Sequence, residues 1–245
     1  MRRLGVIPSR YGSTRFPGKP LCQILGKPMI QWVVEAARRA QRLDDVLVAT
    51  DDARIASAVA AFGGKAVMTP SALPSGTDRV AMAAAPVGDD DIIVNIQGDE
   101  PLIDPALIDA LVARMEGDSQ WAMATAAAPI ASLDDLEART VVKVVTDASG
   151  AALYFSRLPI PCRRDGPPDI SSGLYLRHLG IYAYRGGFLK RFVAAPPCAL
   201  EKTESLEQLR ALDMGAKILV LRTADTGVGV DTPKDIRRVE ERLRS

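Results

Sequence analysis

Short apolar runs alternate with stretches of helical periodicity along the first half of the chain. After Pro28, apolar residues recur at the spacing of a helix face, at Met29, Ile30, Val33, Val34 and Ala37. Strands are predicted at residues 4–8, 46–49, 65–68 and 91–95, and further helices from Asp51 or Asp52 to 62, at 77–85 and at 105–115. Strands and helices that alternate through short connections predict a parallel sheet with helices on both faces.

The pattern changes after about residue 140. Segments 141–146 and 151–156 flank the sequence DASG, which predicts a hairpin, and 179–184 is a further strand. Helices are predicted at 187–193, 204–214 and 232–243, with a strand at 217–221 between the last two. The predicted fold is a single α/β domain over residues 1–245, a doubly wound and mostly parallel sheet with a β-rich insertion at 140–184.

Composition and charge exclude several classes of protein. The 31 Lys and Arg residues nearly balance 30 Asp and Glu, so a nucleic-acid partner is not expected. The three cysteines are widely separated and form no Cys-x-x-Cys pair, which argues against a disulfide framework and a structural zinc site. The chain has neither an apolar run of membrane-spanning length nor a secretory signal, so we expect a cytoplasmic protein without membrane insertion.

Positive charge is concentrated near the start of the chain, where residues 1–39 hold eight cations and one anion. Three of the cations, Arg10, Arg15 and Lys19, lie in a Gly- and Pro-containing loop at 9–20. The loop is not a Walker A motif, because five residues separate its glycines and Pro20 follows Lys19. Free backbone N–H groups and nearby cations still favour phosphate binding. An ordinary basic surface loop is the alternative.

Two acidic loops complete the candidate chemistry. The first, 95–101 with the sequence NIQGDEP, follows a buried strand and carries Asp99, and the second, 227–233, carries Asp231. Ligands of doubly wound folds lie beyond the carboxyl ends of the strands, so we expect these loops to meet the basic loop there. One or two carboxylates together with substrate phosphates commonly hold Mg²⁺. The alternative for each aspartate is a turn or helix cap.

Seven segments stand out along the chain: IPSRYGSTRFPGKPL at 7–21, SGTDR at 75–79, NIQGDEP at 95–101, YFSR at 154–157, RHLGIY at 177–182, LEQLR at 206–210 and GVDTP at 229–233. Taken together and in this order, they resemble the 3-deoxy-manno-octulosonate cytidylyltransferase (CMP-Kdo synthetase) family. The resemblance runs from end to end of the chain, although Asp78 stands where the family often has Glu and the loop 163–173 is idiosyncratic, so no role is carried onto that loop.

The resemblance implies that CTP and 3-deoxy-D-manno-octulosonate (Kdo) give CMP-Kdo and pyrophosphate with Mg²⁺, for bacterial lipopolysaccharide biosynthesis. It implies catalytic roles for Arg15, Lys19 and Asp99, with Mg²⁺ on Asp99 and Asp231. The implied nucleotide-binding residues are Arg10, Ser75, Gly76, Arg79 and Gln97, and the implied sugar-binding residues are Gln97, Arg157, His178, Glu207 and Gln208. Arg157 and His178 are the candidates for the cation that meets the sugar carboxylate.

A homodimer built on the β-rich insertion is expected, because the hairpin and the strand at 179–184 are more apolar than an exposed excursion should be. Three alternatives stay open for the function. The acceptor could be sialic acid or an amino-substituted Kdo, or a different acceptor such as a polyol phosphate. The third alternative is a nucleotide-binding regulatory module without catalysis, against which the presence of Arg15, Lys19, Asp99 and Asp231 argues.

Overall fold

A nine-stranded sheet runs through the computed structural model, which describes residues 1–12, 16–224, 227 and 229–244. With a separate two-stranded ribbon formed by β2 and β3, the strands are β1 (Arg3–Ser9), β2 (Gln23–Ile24), β3 (Lys27–Pro28), β4 (Asp45–Thr50), β5 (Lys65–Met68), β6 (Ile92–Asn95), β7 (Met123–Pro129), β8 (Lys143–Thr146), β9 (Ala152–Ser156), β10 (Leu176–Arg185) and β11 (Ile218–Arg222). The helices are α1 (Met29–Ala37), α2 (Ala53–Ala61), α3 (Gly76–Ala84), α4 (Pro105–Gly117), α5 (Leu133–Glu137), α6 (Gly186–Ala194), α7 (Ala199–Glu204), α8 (Gln208–Asp213) and α9 (Pro233–Arg244).

The central strands follow the order β11-β7-β10-β6-β1-β4-β5. Strand β1 pairs in parallel with both β4 and β6, so that Val6 lies opposite Leu47 on one side and Asn95 on the other. Strand β10 is antiparallel to both of its neighbours, β6 and β7. The prediction of a mostly parallel sheet is confirmed.

Helices cover both faces of the sheet, as predicted for a doubly wound fold. Apolar residues of α1, α2 and α4 form one buried cluster with the sheet, and those of α3, α6 and α8 form the other. A smaller cluster joins Val239 of α9 to Ile24 and Met29, so α9 packs beside the start of α1. Among the described residues, no helix is both long enough and apolar enough to cross a membrane.

The predicted hairpin is confirmed as β8 and β9, but the insertion is less separate than the sequence suggests. The hairpin pairs with the first residues of β10, where Leu176 lies opposite Val144. The rest of β10 is buried in the central sheet, so the predicted strand at 179–184 is not an exposed part of the insertion. Its apolar character is explained by the two neighbouring strands.

Two further predictions need correction. The single helix predicted at 204–214 is two helices, because Ser205 adopts a left-handed conformation with φ 52° between α7 and α8. The Arg157 guanidinium holds this link by donating hydrogen bonds to the carbonyls of Glu204 and Ser205. Strand β7 was not predicted, since its sequence MATAAAP is rich in alanine, which has a low β propensity, and it is buried nearly throughout without alternation.

Candidate active site

A cleft of about 500 Å³ opens where β1 and β6 end. It brings together eight of the residues proposed from the sequence: Arg10, Lys19, Ser75, Gly76, Arg79, Gln97, Asp99 and Asp231. These residues come from segments far apart along the chain, and the parallel pairing of β1 with β6 places the loops that follow both strands side by side. Arg15 lies outside the described residues.

The basic loop is held so that Lys19 reaches the cleft. Gly18 has φ 72°, and its N–H donates to the carbonyl of Tyr11. A side chain on Gly18 would lie 3.1 Å from the Tyr11 ring, so the loop needs glycine there for both space and conformation. On the Tyr11 ring lies the guanidinium of Arg54, whose carbon is 3.4 Å from the ring centroid. The loop is therefore anchored by α2.

Lys19 joins the two acidic loops. Its Nζ donates to Asp99 Oδ2 at 2.6 Å and to the carbonyl of Val230 at 2.9 Å, and it lies 3.7 Å from Asp231 Oδ1. The Lys19 side chain is 15% exposed, whereas that of Asp231 is 57% exposed. Two carboxylates thus face one largely covered cation and stay accessible on their outer side. The expected convergence of the basic loop with both acidic loops is found.

This pair of carboxylates is suited to Mg²⁺. Hard carboxylate oxygens are the ligands that Mg²⁺ prefers, and it is commonly held by one or two of them together with substrate phosphates and water. Among the described residues there is no group of three or more His, Cys, Asp or Glu side chains able to hold a metal ion. With two carboxylates, a Mg²⁺ site here would need oxygens of a bound triphosphate and water to complete its coordination.

Asp231 is fixed in place by the first turn of α9. Asp235 Oδ2 accepts hydrogen bonds from the backbone N–H groups of Asp231 and Thr232, at 3.0 and 2.7 Å, and from the Thr232 hydroxyl. These contacts lower the pKa of Asp235, although burial opposes them. Asp235 therefore caps the start of α9 by accepting from both the backbone and the hydroxyl of Thr232. Asp231 itself lies outside the helix, with its side chain toward Lys19.

The start of α3 forms another wall of the cleft. Ser75 caps the helix, since its Oγ accepts from the N–H groups of Thr77 and Asp78. Arg79 is almost completely buried and forms an ion pair with Asp51 at 3.0 Å and a hydrogen bond with Thr69. Its guanidinium thus ties α3 to the ends of β4 and β5 while its side chain lines the cleft.

Two further residues that line the cleft, Ser9 and Gly98, are not among the site residues proposed from the sequence. Ser9, the last residue of β1, has a buried hydroxyl without a hydrogen-bond partner among the described residues. A Cβ on Gly98 would come within 2.9 Å of the Pro8 carbonyl, so only glycine allows the second loop to approach β1 this closely. The position at the carboxyl end of a predicted strand was the signal that could have identified Ser9.

Gln97 lies between the cleft and β10. Its Nε2 donates to the carbonyl of Gly180 at 2.7 Å, and its side chain also lines the cleft. Gly180 sits where the pairing of β10 with β7 shifts in register between Leu179 and Tyr182. Gln97, which the resemblance implies to contact both nucleotide and sugar, thus joins the wall of the cleft to β10.

The other four proposed sugar-binding residues, Arg157, His178, Glu207 and Gln208, are not among the residues that line the cleft. Arg157 is engaged with backbone: Nε donates to Glu204 O at 2.6 Å, and its terminal nitrogens donate to Arg139 O and Ser205 O. In this structure it therefore acts as a brace between three segments.

His178 is neutral in this environment. Burial lowers the pKa of its imidazole to about 3. The Thr125 hydroxyl has a single proton, and its shortest acceptor is the Ile181 carbonyl at 2.7 Å, so Oγ1 accepts from His178 Nε2–H at 2.9 Å. The lowered pKa disfavours the cationic form of His178 that was expected to meet the sugar carboxylate, because desolvation opposes protonation of the ring.

Glu207 and Gln208, both at the start of α8, contact other elements of the protein. Glu207 Oε2 accepts from the Thr77 hydroxyl at 2.7 Å. Gln208 is buried, and its Oε1 accepts from the Tyr182 hydroxyl at 3.3 Å. Its Nε2 is buried without a partner in the part of the chain that the structure describes. Tyr182 also packs against the His178 ring, with centroids 5.3 Å apart.

Comparison with known proteins agrees with this architecture. The cytidylyltransferase family model matches residues 4–218. Over 241 residues, the chain is 54% identical to 3-deoxy-manno-octulosonate cytidylyltransferase of Syntrophobacter fumaroxidans, covering 98% of this chain and 96% of that protein. It is 50% identical over 246 residues to the protein of the same name from Bdellovibrio bacteriovorus, covering 100% of this chain and 99% of the relative.

Solved structures extend the comparison. The structure of CMP:2-keto-3-deoxy-manno-octonic acid synthetase complexed with CTP has a TM-score of 0.92 and 43% identity, and the match covers 100% of this chain and 99% of that one. A 4-diphosphocytidyl-2C-methyl-D-erythritol synthase has a TM-score of 0.67 at 15% identity, with 99% of this chain and 98% of the other covered, and shows the fold alone. The chain belongs to the 3-deoxy-manno-octulosonate cytidylyltransferase family.

Proposed function

We propose that this protein transfers CMP from CTP to Kdo and releases pyrophosphate, for bacterial lipopolysaccharide biosynthesis. The observation that carries the proposal is the contact of Lys19 Nζ with both Asp99 and Asp231 inside the cleft. Carboxylates and a cation in one cleft suit a triphosphate with its metal ion. The relatives' names supply the sugar, and the CTP complex of the similar synthetase supports CTP as the nucleotide.

In this reaction the anomeric hydroxyl of Kdo attacks the α-phosphorus of CTP, loses its proton, and the bond to pyrophosphate breaks. The protein's part is mainly to position the reactants and neutralise charge. Lysine has three N–H donors, and the long contact from Lys19 to Asp231 allows one of them to turn to a phosphate oxygen. Arg10 and Arg15 add positive charge, and Mg²⁺ held by Asp99 and Asp231 would neutralise the triphosphate.

The nucleotide and the sugar would lie on opposite sides of Gln97. Ser75, Gly76, Arg79 and the buried Ser9 hydroxyl offer the nucleotide small side chains and polar groups. Beyond Gln97, the sugar would meet the region that contains Arg157, His178, Glu207 and Gln208. Gln208 Nε2 is buried and has no partner among the described residues, so it could donate to a sugar hydroxyl there.

A pyrophosphate-release assay with CTP or UTP and with Kdo, 8-amino-Kdo, sialic acid or a polyol phosphate tests this proposal. We expect rapid release with CTP and Kdo that depends on Mg²⁺. Faster release with another sugar would replace the proposed acceptor and leave the reaction class intact. No release with any pair would contradict catalysis and favour a nucleotide-binding module.

We also propose a homodimer, formed through the hairpin and the segment before β10. A shallow apolar groove there is lined by residues such as Val145, Tyr154 and Ile160. Two of its lining leucines, Leu153 and Leu174, are 61% and 58% exposed. Exposed apolar surface of this kind favours burial against a second copy. Light scattering at micromolar concentration should give twice the chain mass, and Leu153→Asp should shift it toward the monomer; a monomeric wild type would contradict the proposal.

The proposed location is the cytoplasm, where nucleoside triphosphates are available. The location is checked by cell fractionation: antibody detection should place the protein with cytoplasmic markers. Recovery with membrane or periplasmic markers would contradict the assignment.

A further inference from the structure

Thr77 links two parts of the protein that the proposed function assigns to different substrates. It is a buried residue in the first turn of α3, and its hydroxyl donates to Glu207 Oε2 at 2.7 Å across 130 positions of sequence. Charge-assisted hydrogen bonds of this length are among the stronger polar contacts in proteins. The contact is therefore able to fix the direction of the Glu207 carboxylate.

On its other side, Thr77 is flanked in sequence by residues that form the wall of the nucleotide cleft. Ser75 and Gly76, the residues just before it, line the cleft, and so does Arg79 one turn later. The Ser75 hydroxyl accepts from the Thr77 N–H at 3.2 Å. Since the backbone of Thr77 is bound to a cleft residue, its hydroxyl has a fixed position relative to a nucleotide bound there.

Glu207 needs such a partner. It stands at the N-cap of α8, yet its side chain makes no capping hydrogen bond, and it comes two residues after the left-handed Ser205. The next residue, Gln208, contacts Tyr182, which packs on His178. A series of contacts thus runs from the cleft through Thr77, Glu207 and Gln208 to the region assigned to the sugar.

We propose that Thr77 is a positioning residue that couples the nucleotide and sugar subsites by holding the Glu207 carboxylate relative to the start of α3. This inference rests on the proposed function, because it assumes that Kdo meets Glu207. Loss of the hydroxyl removes the hydrogen bond that orients the Glu207 carboxylate, together with a side-chain contact to the buried Tyr184, and the Glu207 double mutant described below separates the two. The substitution should therefore weaken the binding of Kdo and leave the binding of CTP to the cleft little changed.

The test uses Thr77→Val, which removes the donor at nearly constant volume, and Thr77→Ser, which keeps it. We expect Thr77→Val to raise the KM for Kdo about tenfold while the KM for CTP changes less than twofold. Thr77→Ser should restore most of the Kdo affinity. Thr203→Val is the matched control, because the Thr203 hydroxyl donates only to Ala199 O on its own exposed helix.

A double-mutant cycle decides whether Thr77 acts through Glu207. In a Glu207→Ala background, Thr77→Val should add no further rise in the KM for Kdo. The proposal would be overturned if the Thr77→Val and Glu207→Ala effects on the KM for Kdo multiplied in the double mutant. It would also be overturned if Thr77→Val raised the KM values for Kdo and CTP equally, or changed neither. A wild type with no turnover of CTP and Kdo would instead refute the proposed function itself, and the coupling with it.

Discussion

The nucleotide cleft and the region beyond Gln97 hold their polar side chains in different ways. In the cleft, Asp231 is largely exposed and the Ser9 hydroxyl has no partner among the described residues. Beyond Gln97, the Arg157 guanidinium donates to three backbone carbonyls and His178 is hydrogen-bonded to Thr125. Arg157, His178, Glu207 and Gln208 are called the sugar-side group below.

The two regions differ in how far their polar side chains are already bonded within the protein before a ligand binds. The cleft keeps the Asp231 carboxylate open to a ligand, whereas Arg157, His178 and Glu207 are bonded to other parts of the protein, so their effect on a sugar depends on the geometry of those contacts. Changes in the cleft should therefore remove turnover, and changes in the sugar-side group should mainly alter the affinity for one substrate.

The largest effect is expected for Asp99→Asn. Removing one carboxylate weakens the ion that the pair would hold and leaves Lys19 with one fewer charged partner. We expect kcat to fall by about a hundred- to a thousandfold, measured by pyrophosphate release at ordinary Mg²⁺ concentration. Asp165→Asn, at an almost fully exposed position, is the control. Near-normal turnover of the Asp99 variant would remove that residue from the metal site.

Lys19→Ala should have the next largest effect. If Lys19 stabilises charge that grows on the leaving pyrophosphate, kcat and kcat/KM should fall together by about a hundredfold. Steady-state kinetics with each substrate varied in turn measures both. Lys217→Ala, which removes a surface lysine bonded to Gln120, should leave them unchanged. A change confined to the KM for CTP would assign Lys19 to ground-state binding instead.

For the sugar-side group, Arg157→Ala should raise the KM for Kdo about tenfold with little change in the KM for CTP. The structural reason is the loss of the brace on Glu204 and Ser205, just before Glu207. Arg163→Ala, in the exposed loop, is the matched control. A defect that falls on CTP and not on Kdo would break the assignment of Arg157 to this region.

The smallest effect concerns His178, the single histidine of the chain. Its pKa is lowered from 6.5 to about 3, so the unfolded chain takes up a proton near pH 6.5 that the folded protein refuses. Stability from this residue is therefore present above that pH and declines as the pH falls, by about 1–2 kcal/mol near pH 5.

NMR of the single imidazole tests this prediction directly. Its carbon-bound protons should show no titration between about pH 5 and pH 8 in the folded protein. His178→Gln should remove the corresponding part of the pH dependence of the free energy of unfolding. A titration midpoint near 6.5 would contradict the buried neutral state and reopen a cationic role.

The cleft could be predicted from the sequence because its signals are local. Glycines, cations and carboxylates lie directly after apolar runs, and the parallel arrangement of strands brings those positions together. The roles of the sugar-side group depend on long-range contacts. Nothing near Ser205 predicts that Arg157 will hold a left-handed link there, and nothing near His178 predicts that its ring packs against Phe155.

Strand β10 has a consequence for anyone who wishes to exchange sugar specificity between related enzymes. One end of it pairs with the hairpin and the other with β6 in the middle of the sheet, so no hinge or linker separates the two regions. At the register shift, the Gly180 carbonyl accepts from Gln97, and a side chain on Gly180 would lie 3.3 Å from that glutamine. A working chimera would therefore carry over the whole stretch from β8 through β10 together with its matching residue at position 97. If the hairpin alone were grafted, the recipient's own β10 would still set the position of the sugar.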